Sequence, residues 1–143
     1  MSSSSAEITT LVRTLNADGA KIVLAAAEQA ARGKDLKLSL SVVDISGNLL
    51  AFTRMDGAPL GSIDASLKKA RTAALFGAPS KVFEDLLHGG TTSLLAFDIV
   101  SPSQGGVPII IDGTVVGGVG GSGGSGQDDE LAARAGAEAV RGP

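Results

Sequence analysis

The feature that most restricts what this chain can become is the stretch Gly113-Thr-Val-Val-Gly-Gly-Val-Gly-Gly-Ser-Gly-Gly-Ser-Gly-Gln-Asp-Asp-Glu130. It opens on β-branched residues, thins into glycine and serine, and enters an alanine-rich segment headed by three acids. Glycine carries an entropic cost on folding, justified where the backbone needs positive φ or is approached closely. A Gly/Ser run by itself reads as a flexible linker, but too little chain follows to form another domain. The stretch is therefore read as a strand-to-helix loop that lines a ligand site or an oligomer contact.

The 143 residues suffice for one domain with a real core, expected over residues 8–143 behind a disordered tail at residues 1–7. Aromatics make up 3% and Trp and Tyr are absent, so the core must be aliphatic. A net charge of −3 lacks the electrostatic footprint of nucleic-acid binding. Without cysteine there is no disulfide, thiolate nucleophile or iron–sulfur cluster, and a single histidine gives no protein-only metal site. No apolar run approaches the roughly 20 residues that span a bilayer. The first residues, Met1-Ser-Ser-Ser-Ser-Ala-Glu7, lack a secretory signal, so the chain reads as cytoplasmic, export being left open if a signal has been removed.

Leu11, Leu15, Ile22, Ala26 and Ala30 follow helical spacing up to Gly33, with Asp18-Gly19 a break near the start. Leu36, Leu38, Leu40 and Val42 alternate with Lys37, Ser39 and Ser41, which predicts a strand with one face toward water or a partner. Ser46-Gly47 turns it into a second strand, Asn48 to Phe52. The next helix runs to Phe76, with Ile63, Leu67, Ala70 and Ala74 as its core stripe and Asp64, Lys68 and Arg71 toward water. Lys69, with Ala65, Thr72 and Phe76, forms a second row almost opposite, so this helix is expected to be covered on two sides. Ser80 caps a short helix to Leu87, and residues 88–104 give no clear pattern. A second hairpin pairs Ile109–Ile111 with Thr114–Val119 around Asp112-Gly113, and a last helix spans Gln127 to Val140. Two hairpins and no parallel crossover predict an α+β sandwich with an antiparallel sheet flanked by helices.

Gly118-Val-Gly-Gly-Ser-Gly123 fits G-x-G-x-x-G, but no βαβ unit follows, and three acids occupy the helix start where a phosphate would sit. A neutral or carboxylate group held by the loop amides suits it better. His88 reads as a helix C-terminal cation, and no nucleophile elbow accompanies it. Arg54 and Asp56, on a loop leaving a strand, are either a turn ion pair or ligand-site charges.

Val43-Asp44…Gly47-Asn48-Leu49, Arg54-Met-Asp-Gly-Ala-Pro59, Lys69-Ala-Arg-Thr-Ala-Ala74, Gly105-Gly-Val-Pro108 and Gly117-Gly-Val-Gly-Gly-Ser-Gly123 together resemble the GlcG/HbpS family. The resemblance runs over nearly the whole domain. It implies a profilin-like α/β/α sandwich assembled as dimers or larger homo-oligomers. Some members bind haem, a relative forms the C-terminal domain of PduO-type corrinoid adenosyltransferases, and others are encoded with glycolate or diol catabolism. On the family's motif positions fall Arg54, Met55, Asp56, Lys69, Gly105, Gly106, Pro108, Gly120 and Ser122, with Gly121 standing where the usual run Gly-Val-Ser-Gly is interrupted. The early histidine of some relatives is missing, so iron would take Met55, a hydroxyl, His88 or a group from another subunit.

Two principal functions follow as expectations. In the first, the domain binds a small molecule, haem-like or a small organic acid, between the Arg54–Asp56 loop, Lys69 and the glycine loop. In the second, a metal-free isomerase, lyase or hydrolase of small-molecule catabolism uses Asp56 as acid or base, with Lys69 and Arg54 stabilising negative charge. A scaffold whose two-sided helix serves only oligomer packing is the third alternative.

Overall fold

The computed structural model describes residues 7–142. The tail expected at residues 1–7 falls, except for Glu7, outside the described residues. Four antiparallel strands form one sheet in the order β2–β1–β4–β3, where β1 is Ser39–Asp44, β2 Leu49–Arg54, β3 Gly106–Ile111 and β4 Thr114–Ser122. Helices α1 (Ala17–Gly33) and α4 (Gly126–Ala139) pack on each other over one face, and α2 (Ser62–Phe76) lies on the other. A short α3 (Lys81–His88) and a 3-10 turn (Thr92–Ala96) connect α2 to β3. This is the expected α/β/α sandwich.

Turn chemistry fixes both hairpins. Asp112 and Gly113 both adopt positive φ, 51° and 77°, the type I′ geometry that matches the twist of the strands. At the first turn the Asp44 carboxylate accepts from the amides of Ser46 and Asn48, at 2.9 and 3.0 Å, while Gly47 takes φ 83°. A bulge at Val42/Val43 then turns Leu50 and Ala51 to the α1 side and Leu49 to the other.

The core is aliphatic, as composition required. Leu38, just before β1, Leu40 and Val42 of β1, Val119 of β4 and Val107 and Ile109 of β3 meet Val23, Ala27, Ala133 and Ala137 of the two helices. Each fully buried Leu, Val or Ile contributes about 1.5–3 kcal/mol.

Several expectations need correction. Helix α1 begins at Ala17 under an Asn16 cap rather than near Leu11, because Leu15 runs beside β4, its amide donating to the Val116 carbonyl. Its buried stripe is Ala20, Val23, Ala27 and Ala31, which leaves Ile22 53% exposed. On α2, Ala70 and Ala74 of the expected stripe are buried, but the stripe is completed by Ser62, Ser66, Lys69 and Ala73, and Ile63 is 37% exposed. Thr72, on the flank, meets the segment beyond the 3-10 turn, accepting from the Ser101 amide at 2.8 Å, so α2 is covered on two sides.

The polar face of β1 does not meet water. Ser39 and Ser41 are buried under α2, each 2.8 Å from a helix hydroxyl, those of Ser62 and Ser66. Because Ser62 and Ser66 spend their own protons on the carbonyls of Pro59 and Ile63, the strand serines are the donors. Ser80 stands at the N-cap of α3, as expected, but its side chain makes no capping hydrogen bond. Its hydroxyl donates to the Ser103 carbonyl at 2.6 Å and accepts from the Gly106 amide at 2.9 Å, anchoring the start of β3.

The glycine run also needs correction: the strand expected to end at Val119 continues through Gly120 and Gly121 to Ser122, where a loop was expected. A Cβ at Gly118 would run into the Ala70 carbonyl, and one at Gly120 into the Ser66 carbonyl and, at 2.6 Å, the Ala70 amide. The glycines let α2 lie directly on β4, backbone against backbone.

Candidate functional site

The one buried charge cluster among the described residues crosses the end of the sheet. Lys69 projects from α2 on one face and Asp129 from α4 on the other; they are 5% and 2% exposed. The Lys69 ammonium donates to Asp129 Oδ2 and to the Gly121 carbonyl, both at 3.2 Å. The second carboxylate oxygen of Asp129 accepts from the Gly124 amide at 2.9 Å. Gly105, at φ 143°, leaves the ammonium its passage: a Cβ there would stand 2.9 Å from Lys69 Nζ and 2.6 Å from the Gly121 carbonyl. Burial pushes the Asp129 carboxyl above the usual carboxylate range, against the opposing pull of the Gly124 amide and Lys69.

The other acids of the α4 start are satisfied elsewhere. Asp128 pairs with Lys34 at 3.3 Å and Glu130 with Arg134 at 3.2 Å, while the Ser125 hydroxyl caps the helix by accepting from the Asp128 amide. Asp129 was not singled out from the sequence, yet a signal existed. Stepping back four residues from the buried stripe Ala132, Ala133, Gly136 and Ala137 lands on Asp129.

Of the residues singled out, the structure brings together Lys69, Gly105, Gly106, Gly120 and Gly121 around this ion pair. Gly106 sits where a side chain would strike the Lys69 backbone, and the Gly121 amide donates to the Gly105 carbonyl at 3.0 Å. Ser122 and Arg54 flank Ser39 in register, on β4 and β2, at the same end of the sheet. Arg54 and Asp56 are exposed, whereas Met55 is buried among Ala27, Ala31, Leu38 and Leu40. Pro108 is half-buried on the edge strand β3, where no ladder donor is needed. Thus Lys69 has its charge met inside the chain, and the Met55 sulfur lies within the core. His88 is exposed at the C-terminus of α3.

A second surface carries a different chemistry. No side chain of α3 is buried, and Val82, Asp85, Leu86, Gly89 and Thr91 line an open groove of about 390 Å³. Phe83 of α3 meets Phe76 edge-on, ring centroids 5.2 Å apart, and Phe97 closes the 3-10 turn in the open. The fourth phenylalanine, Phe52, is also exposed, so none of the four enters the core. Among the described residues no group of three or more His, Asp or Glu could hold a metal ion, and no helix is long and apolar enough to cross a membrane.

Comparison with known proteins agrees with this geometry. Escherichia coli GlcG is 36% identical over 102 residues, covering 71% of this chain and 75% of that protein. The crystal structure of HbpS superposes with a TM-score of 0.87 at 32% identity, covering 94% of this chain and 95% of that one. A PduOC:haem complex superposes with a TM-score of 0.80 at 27% identity, covering 89% and 95%. The family described as haem degrading protein HbpS-like matches residues 15–138, from the core residue Leu15 to the last turn of α4. On the strength of that match and these relatives, the chain belongs to the HbpS-like family.

Proposed function

We propose that the protein binds a flat apolar small molecule of the tetrapyrrole class on the surface formed by α3, the 3-10 turn and Phe76, and that it does so as an assembly of identical chains. The observation that carries this reading is the placement of the phenylalanines. A domain whose core is wholly aliphatic keeps three of its four aromatic rings, Phe76, Phe83 and Phe97, on or beside a helix with no buried side chain. Exposed apolar surface of this kind costs free energy unless something covers it. HbpS and the PduOC:haem complex, both similar in fold, support a haem-type ligand.

The residues fit the macrocycle better than the metal. Val82 and Leu86 offer an apolar wall, but His88 stands roughly 200° around α3 from Leu86 at 100° per residue. One chain therefore does not turn both the imidazole and the wall toward the same ring, and the Met55 thioether is in the core. Binding through the ring face rather than through iron is the reading this donor set supports. An acid–base enzyme built on Asp56, Arg54 and Lys69 gains less support, since the Lys69 ammonium is already engaged by Asp129.

The test titrates the protein with haemin and with metal-free protoporphyrin IX, following the Soret band. Both are expected to bind with similar affinity, His88→Ala to change neither, and Leu86→Glu to weaken both. Haemin binding that His88→Ala abolishes, with no binding of the metal-free ring, would overturn the reading.

A further inference from the structure

The chain between α3 and β3 is tied to the domain at its two ends and hardly at all between them. At the near end the Thr91 amide donates to the Leu86 carbonyl of α3 at 2.9 Å. At the far end Val100 is buried, and the Ser101 amide donates to the Thr72 hydroxyl of α2 at 2.8 Å. From Thr92 to Asp98 every residue except Leu94 is exposed. The amides of Thr92, Leu94 and Phe97 donate only to the nearby carbonyls of Gly90, Thr91 and Leu94. A stretch with so few buried contacts changes shape at little cost.

This strap carries apolar side chains that its own chain leaves in water. Leu95 is 69% exposed and Phe97 55%. Among the regular elements the 3-10 turn packs chiefly on α3, the helix with no buried side chain. Val82 and Leu86 of α3 wall one side of the open groove, and Thr91, the near tie of the strap, stands on its rim. A flat ring laid on that wall has one face covered and the other in water. Taking the second face out of water needs a second apolar surface. The strap starts at the rim of the groove and holds such a surface unused.

We infer that the strap from Thr92 to Asp98 is a lid, which folds over a ring seated on α3 and brings Leu95 and Phe97 onto the outer face of that ring. The inference rests on the ring binding proposed above and adds the closing step to it. Without a ring, closure would order the strap at an entropic cost and bury little. With one, the ring's outer face and the two side chains leave water together, so the closed form is favoured by occupancy. The Thr72 hydroxyl also donates to the Ile99 carbonyl at 3.2 Å, which holds the far end in place while the strap bends. A ring enters while the strap is open, so entry does not depend on Leu95 and Phe97. Release requires the strap to open first, so closure slows it.

The experiment follows metal-free protoporphyrin IX on the full chain by stopped-flow absorbance and by backbone hydrogen exchange, with circular dichroism to check folding. On saturation with the ring, the amides of residues 92–98 should exchange at least about tenfold more slowly, while those of β1 and β4 keep their rates. Leu95→Ser/Phe97→Ser, at two exposed positions, should raise the dissociation rate about tenfold and leave the association rate within about twofold. Suppose instead that Leu86→Glu weakens binding, yet exchange at 92–98 is unchanged and the double variant releases the ring at the parent rate. Then the lid is overturned, and α3 stands as the seat of the ring. A fall in the association rate alone would make the strap a fixed wall and equally overturn the lid. No binding of the ring at all overturns the proposed function and the lid with it. Should the double variant fail to fold, Leu95→Ser alone carries the same expectation.

Discussion

Replacing Lys69 by methionine tests whether the ion pair bolts the two faces of the sheet together. The stem of the side chain is kept, so packing beside Gly105 and Gly106 survives while the charge is lost. Asp129 is then left buried with one partner, the Gly124 amide. Breaking a buried pair by removing one member costs about 3–5 kcal/mol. For a chain of 143 residues that lowers Tm by roughly 10–17 °C, at about 2 cal/mol/K of unfolding entropy per residue. The pH dependence follows from linkage. In the intact protein burial already holds the Asp129 pKa above its unfolded value, so this group's contribution falls as pH rises through the folded pKa and recovers on acidification. Without the cation the folded pKa rises further, the variant takes up its proton at higher pH, and its deficit shrinks between pH 7 and pH 5. Adding Asp129→Asn, which keeps an acceptor for the Gly124 amide, should return most of the loss. Calorimetry and urea titration at fixed protein concentration, at both pH values, read the parent and both variants. A Lys69→Met cost below about 1 kcal/mol at pH 7, or a cost that does not shrink toward pH 5, would refute the reasoning.

Two further outcomes probe the close packing. Gly120→Ala, which drives a methyl into the backbone of α2, should abolish folding or cost several kcal/mol, about 3 or more, whereas Gly33→Ala, with open space around it and a helical position, should change stability by at most about 1 kcal/mol in the favourable direction; denaturant midpoints compare the two. Ser41→Ala removes the donor to the Ser66 hydroxyl and should cost about 1 kcal/mol, while Ser41→Ala/Ser66→Ala should cost less than twice that, which a double-mutant cycle will show.

Much of the architecture was legible in the residues. Asp112-Gly113 and Ser46-Gly47 announced the hairpins, and the alanine stripe of α4 gave the last helix to within a residue at each end. What escaped notice was the size of the residues that count as interior. On α2 the expected stripe of Ile63, Leu67, Ala70 and Ala74 was right for its alanines, yet beside them small residues, Ser62, Ser66 and Ala73, rather than Ile63 lie against the sheet because Gly118 and Gly120 admit nothing bigger. The same use of small residues for large left the serines of β1 read as facing water or a partner, and ended β4 at Val119 instead of Ser122. Lys69 stood out as an unusual cation, but its partner lies 60 residues away on another helix, a distance no local spacing reveals. The 3-10 turn at Thr92–Ala96 had no periodicity to betray it.

The absence of every phenylalanine from the core, in a chain without tryptophan or tyrosine, divides the spectroscopy of this protein into two channels. Near-ultraviolet aromatic signals originate only outside the core, so they report changes at the surface and are nearly silent about the interior. Far-ultraviolet and calorimetric signals follow the sandwich itself. A titration that moves the first channel and leaves the second still has touched the outside of the molecule alone.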